Sequence, residues 1–110
     1  MYQRIRIMTQ IGLRAALNER TTTQLAELFR AFSDANRVRL IAALLDGERS
    51  VMDLADEVGL SESATSHHMR GLRLLHLVRT RKEGRQVFYR LDDDHVATLF
   101  KQGLNHVQHG

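Results

Sequence analysis

The residues of this chain best suited to chemistry lie near its C-terminus, in the run DDDHVATLFKQGLNHVQH, where Asp93 and His95 are followed at a distance by His106 and His109. Carboxylate oxygen and imidazole nitrogen are ligands that zinc takes at about 2.0 to 2.2 Å in a tetrahedral shell. On a helix of about 100° per residue, His106 falls about 20° from His95, and His109 within about 40° of the same line. The three imidazoles therefore share a face. At about 1.5 Å per residue, however, His95 and His106 stand roughly 16 Å apart along the axis, too far for one ion. Two copies packed antiparallel across a two-fold axis resolve the conflict, because the Asp93/His95 end of one then meets the His106/His109 end of the other. The spacing thus predicts a homodimer with symmetry-related inter-subunit metal sites. Four protein ligands close a zinc shell and leave no position for a reactive water, which argues against an enzyme.

The elements that hold these ligands must come from a small chain. With 110 residues, 43% of them apolar, one modest core and one domain spanning 1–110 are expected. There is no cysteine, so disulfides, thiolate metal sites and cysteine nucleophiles are excluded together. The opening stretch MYQRIRIMTQIGL is broken by Arg4, Arg6 and Gln10, which suits neither a signal peptide nor a membrane span. A cytoplasmic protein is expected.

Periodicity orders the chain as mainly helical with a β-hairpin. Ile5, Met8, Ile11 and Ala15 mark a first helix ending near Ala16. Thr22 or Thr23 caps a second, with Leu25, Leu28, Phe29 and Phe32 on one side, and Asp34 caps a third that Gly47 ends. Ser50 caps a short helix carrying Leu54, Ala55 and Val58, and the turn VGLS leads to a helix from Glu62 to about Leu75. This is a helix-turn-helix: Ala55 is small where the second helix crosses, and Gly59 relieves the turn. LVRTRKE and QVFYRL alternate as strands do, joined at Gly84 and Arg85. A last helix runs from roughly Asp94 to Val107.

Charge is unevenly spread although the formal net charge is only +3. From His67 to Arg90 the bases Arg70, Arg73, Arg79, Arg81, Lys82, Arg85 and Arg90 face only Glu83, which points to a polyanion partner. Helical projection puts Thr65, His68, Met69, Leu72 and Leu75 on the inner side of the Glu62 helix, and Ser63, Ser66, His67 and Arg70 on the outer. Ser61 caps this helix. In a helix-turn-helix such an outer face enters the major groove of double-stranded DNA, where hydroxyl, imidazole and guanidinium groups reach base edges or phosphates. Arg81, Lys82 and Arg85 are placed at the hairpin tip to contact the phosphate backbone. His76 has no ligand-like neighbour and is given a structural role.

The segments SDANRVRLIAALL, RSVMDLADEVGLSESATSHHMRGL and everything from LSESATSHHMRGL to His109 resemble the ArsR/SmtB family of winged-helix metal-responsive repressors. The resemblance covers about Leu25 to His109 and is to the branch that senses zinc through its C-terminal helix. It implies a winged helix-turn-helix with N- and C-terminal dimerisation helices, and it assigns Asp93, His95, His106 and His109 as metal ligands. It also implies binding to an imperfect inverted repeat of operator DNA, with release when zinc, or cobalt as a tetrahedral mimic, is bound. A further implication is a hydrogen bond from the second ring nitrogen of His106 to the backbone around His67. Many relatives carry a second site within a pattern like ELCVCDLA. Here GERSVMDLA has no thiolate, which weighs against sensing of arsenic, lead or cadmium.

Competing readings are a winged-helix regulator indifferent to metal, a metalloenzyme and a zinc-storage protein. The closed ligand set disfavours the enzyme. The helix-turn-helix and basic hairpin have no use in a store. Along the expected apolar stripe of the last helix, Val96, Leu99, Phe100, Gly103 and Val107 offer the seam that a dimer needs.

Overall fold

The structure, a computed structural model, describes Gly12 and residues 14–109. They belong to two compact units, residues 1–30 and 31–110. Ile5, Met8 and Ile11 of the expected first helix lie outside the described residues.

Helix α1 (Glu19–Ala31), all but its last residue in the first unit, begins three residues before the expected threonine cap. Asn18 takes that role instead: its Oδ1 accepts the Thr21 amide at 2.8 Å. Asparagine outranks threonine as a cap, and the threonines are tolerated inside the first turns.

The second unit contains α2 (Ala35–Ala43), β1 (Arg49–Ser50), α3 (Val51–Val58), α4 (Glu62–Leu74), β2 (Val78–Glu83), β3 (Gln86–Leu91) and α5 (Asp94–His109). Local chemistry accounts for most boundaries. Asp34 Oδ1 accepts the amides of Asn36 at 2.8 Å and Arg37 at 3.2 Å, Ser50 Oγ that of Asp53 at 3.1 Å, and Ser61 Oγ that of Ala64 at 3.0 Å. Each satisfies amides that a helix start leaves without an intrahelical partner. Gly59 closes α3 in the left-handed region at φ 78°, and the amides of Gly59 and Leu60 both reach back to the Ala55 carbonyl.

Helix α4 ends on a second left-handed corner. His76, at φ 59°, is the one non-glycine residue with positive φ among the described residues. Leu77 donates to the Leu72 carbonyl at 3.0 Å and His76 to that of Arg73 at 2.9 Å, the paired bonds of a Schellman closure. The structural role expected of His76 is this corner.

The sheet is larger than the expected hairpin. Its order is β1-β3-β2, with Arg49 opposite Tyr89 and Ser50 opposite Phe88. A two-residue strand is too short for alternation to reveal it. In the hairpin, Glu83 pairs with Gln86 across Gly84 and Arg85. Gly84 has φ 62° and Arg85 does not share that sign, as a type II′ turn requires.

Leu40, Ile41, Leu54, Met69 and Leu72 are all fully buried, joined by Ala55, Leu77, Val78, Tyr89 and Val96. Among the described residues no helix is long and apolar enough to cross a membrane. Replacing Gly59 by Ala places a Cβ in the left-handed region and is expected to lower unfolding stability by about 1 to 2 kcal/mol, read as a lower urea midpoint with an unchanged slope.

Candidate nucleic-acid interface and metal centre

The rotation of α4 is set by what it buries. Thr65, Met69 and Leu72 have no exposed surface, while Ser63, His67 and Arg70 are exposed and Ser66 is half-buried. Ser66 lines a groove of about 380 Å³ with Glu62, Met52, Arg85 and Gln86, between the N-terminal ends of α3 and α4 and the hairpin tip. The hairpin and the outer face of α4 thus border one groove. Inner-face His68 accepts a hydrogen bond at Nδ1 from Arg37 Nε at 3.4 Å. A Cβ on Gly71 would lie 3.0 Å from Arg37 Nη2, so this glycine makes room for an arginine from α2. Sequence spacing carries no signal for that contact.

The basic hairpin is more differentiated than its composition suggests. Arg81 is not at the tip. It pairs with Phe88, back from the turn, and its guanidinium stacks 4.5 Å from that ring's centroid. It also donates from Nε to Glu48 at 2.8 Å, from Nη2 to Glu48 at 2.7 Å, and from Nη1 to Glu83 at 2.9 Å. These bonds raise the Arg81 pKa, Glu48 being the first cause. Arg79 is held by Asp92 at 2.7 Å, and Arg49 by Glu57 at 3.1 Å. Arg70, Lys82 and Arg85 are exposed and have no carboxylate within ion-pair distance among the described residues.

At the other end of the unit, Asp93 caps α5. Its Oδ1 accepts the amides of His95 at 2.9 Å and Val96 at 3.2 Å. Its Oδ2 lies 3.4 Å from His95 Nδ1. Desolvation works to raise the Asp93 pKa, but hydrogen bonds from Val96 and His95 outweigh it and hold the carboxyl below its usual 3.8. Two ligands bound at about 2.0 to 2.1 Å in a tetrahedral shell stand about 3.3 to 3.4 Å apart. The Oδ2 to Nδ1 separation matches that bite. His109 Nδ1 lies 2.9 Å from the Asn105 carbonyl. A ring nitrogen facing a carbonyl donates its proton, which leaves Nε2 as the free lone pair, an arrangement common in metal-ligating histidines. The donor set fits zinc. His106 and His109 lie far along α5 from Asp93 and His95, and among the described residues no three ligating side chains converge in one chain.

Beside the histidines, Leu99, Phe100, Gly103, Leu104 and Val107 of α5 join Phe32 and Val38 around an apolar groove of about 350 Å³. Val96, expected on this stripe, is instead 6% exposed in the core of its own chain, because α5 must turn one face onto β3. A Cβ on Gly103 would meet nothing within 4 Å in its own chain.

Comparison with known proteins gives the family and the fold. The family model described as bacterial regulatory protein, arsR family, matches residues 34–80, the span from the α2 cap to the hairpin. The chain is 38% identical over 91 residues to a homologue of the cadmium resistance transcriptional regulatory protein CadC from Staphylococcus aureus, covering 82% of this chain and 75% of that one. This protein belongs to the ArsR family. It is 46% identical over 85 residues to a homologue of the transcriptional repressor SmtB from Synechocystis, covering 77% of this chain; the match spans 64% of that relative's length. Among solved structures, this ArsR-family chain is similar to the homodimeric winged helix-turn-helix DNA-binding domain of a possible ArsR-family regulator from Mycobacterium bovis. The TM-score is 0.75 at 26% identity, over 84% of this chain and 89% of that one. The fold is a winged helix-turn-helix, with α3 and α4 as its helices and β2–β3 as its wing. The family is one of transcriptional regulators.

Arg81 holds the Glu48 carboxyl below its usual 4.5, the side-chain hydrogen bond being the first cause. A carboxyl with a lowered folded pKa stabilises the native state above its unfolded value, and that contribution is lost as pH falls through the folded one. From about pH 4.5 downward, Glu48→Gln is therefore expected to lose stability less steeply than the wild type, measured as thermal midpoint against pH.

Proposed function

We propose that this protein is a dimeric transcriptional repressor that binds an imperfect inverted repeat of operator DNA and releases it when zinc binds between its subunits. The observation that carries the reading is the Asp93 Oδ2 to His95 Nδ1 separation of 3.4 Å at a capped helix start, on the same unit as a recognition helix and a wing. Asp93 and His95 of one subunit and His106 and His109 of the other are the ligands. An all-nitrogen-and-oxygen set suits zinc or cobalt better than cadmium, which favours thiolate. Nickel commonly takes more ligands and is the weaker candidate. The names of the SmtB and CadC relatives, a repressor and a cadmium resistance regulator, support a metal input and a DNA output. The apolar groove along α5 supports a dimer seam, as does the homodimeric state of the Mycobacterium bovis neighbour.

On the DNA side, Ser61, Ser63, Ser66, His67 and Arg70 belong to the recognition helix and its cap. Arg70 suits guanine or phosphate, and the hydroxyls and His67 suit base edges or sugar-phosphate oxygens near the helix start. Lys82 and Arg85 supply phosphate contacts from the wing. Arg81 acts there chiefly by holding the wing against Glu48. Metal works by differential affinity: zinc must bind the DNA-free dimer more tightly than the DNA-bound one, and DNA must weaken zinc binding by the same factor.

The reading is tested by DNA binding at fixed salt, with and without zinc. Wild type is expected to lose about 5- to 150-fold in affinity on adding zinc, and His95→Ala to keep its metal-free affinity while losing that response. Release of His95→Ala by zinc as readily as wild type eliminates the inter-subunit site. No release of wild type favours the metal-indifferent regulator. Separately, Lys82→Ala and Arg85→Ala are each expected to make the slope of log K against log salt shallower by about 2, one phosphate contact being lost from each subunit, whatever the DNA sequence.

A further inference from the structure

Leu77 ties the corner that carries Asp93 and His95 to the recognition helix. Its amide donates to the Leu72 carbonyl in the last turn of α4 at 3.0 Å, and its carbonyl accepts the Asp92 amide at 2.9 Å. Leu77 is 3% exposed, so neither bond is readily replaced by one to water. The side chain of Asp92, half-buried, is held as well: Arg79 Nε donates to its Oδ1 at 2.7 Å. The next residue is Asp93, with Oδ1 committed to the α5 cap. A shift of Asp93 therefore draws on Asp92, and through it on the end of α4 and the start of β2 together.

The far end of this chain of bonds is poised to respond. His76, immediately before Leu77, holds φ 59° without being glycine. A side-chain-bearing residue is disfavoured there. The paired Schellman bonds hold it in place, one of them made by Leu77. Neither Arg79 nor Asp92 belongs to the proposed ligand set or to the outer face of α4.

We propose that Arg79 and Asp92 are positioning residues that couple the metal end of each subunit to its own recognition helix and wing, with Leu77 as the link. This rests on the reading of Asp93 and His95 as metal ligands. It differs from a His106-mediated route in acting within one subunit and at the opposite end of α5.

The test uses the full chain, metal-free and zinc-loaded, with zinc affinity from chelator competition and DNA affinity from fluorescence anisotropy at fixed salt. Asp92→Asn removes the ion pair but keeps the backbone bond to Leu77. It is expected to leave zinc affinity and metal-free DNA affinity within about threefold of wild type, while the zinc-induced loss of DNA affinity shrinks at least about fivefold. Arg79→Met should behave alike, and Arg79→Lys, which retains a donor for Asp92, should recover most of the response. A wild-type zinc response in Asp92→Asn overturns the proposal, as does a fall in zinc affinity large enough to explain the whole change. If Asp92→Asn responds normally while His95→Ala does not, this inference fails and the proposed function stands. If wild type itself does not respond to zinc, both fall.

Discussion

Burial of the inner face of α4 is the constraint on which the rest of this structure depends. Met69 and Leu72 have no exposed surface, and burying each fully is worth about 1.5 to 3 kcal/mol. Rotating the helix by half a turn would expose both and drive Arg70 into the core. The outward direction of Ser63, His67 and Arg70 is thus enforced by apolar packing. Ala55, 3% exposed, and the left-handed corners at Gly59 and His76 bracket the helix so that it can turn only with its neighbours.

Charge follows from the same geometry. Arginines that form one basic block along the chain are sorted in space into held and available groups. Sheet closure brings Glu48, just ahead of β1, against Arg81 of β2, and the bend after β3 brings Asp92 against Arg79. Such exposed ion pairs add little to stability. Their effect is on direction: they aim the wing and leave Lys82 and Arg85, toward its tip, exposed.

The start of α5 joins a helix cap to two of the candidate metal ligands. Asp93 spends one oxygen on the helix amides and keeps the other 3.4 Å from His95 Nδ1. The backbone that presents this pair is the backbone that Leu77 and Arg79 hold. Anything that draws on the free oxygen therefore acts on a helix cap, and the residue before that cap, Asp92, is bonded through Leu77 to the last turn of α4.

Local chemistry was legible in the sequence because caps and turns act over two to four residues. Asp34, Ser50 and Ser61 cap as their types require, Gly59 and Gly84 take positive φ, and the hairpin closes in register. The outer face of α4 follows from helical periodicity, and the candidate ligands from residue type and spacing together with the family resemblance. Asn18 could have been found by ranking cap residues, and Asp93 as a cap by its place just before α5. Tertiary structure alone decided the pairing of Arg81 with Glu48, the seat of Arg37 over Gly71, the third strand at Arg49–Ser50 and the turning of Val96 into the core. These are contacts between residues distant along the chain, and their partners are chosen by which faces the core brings together.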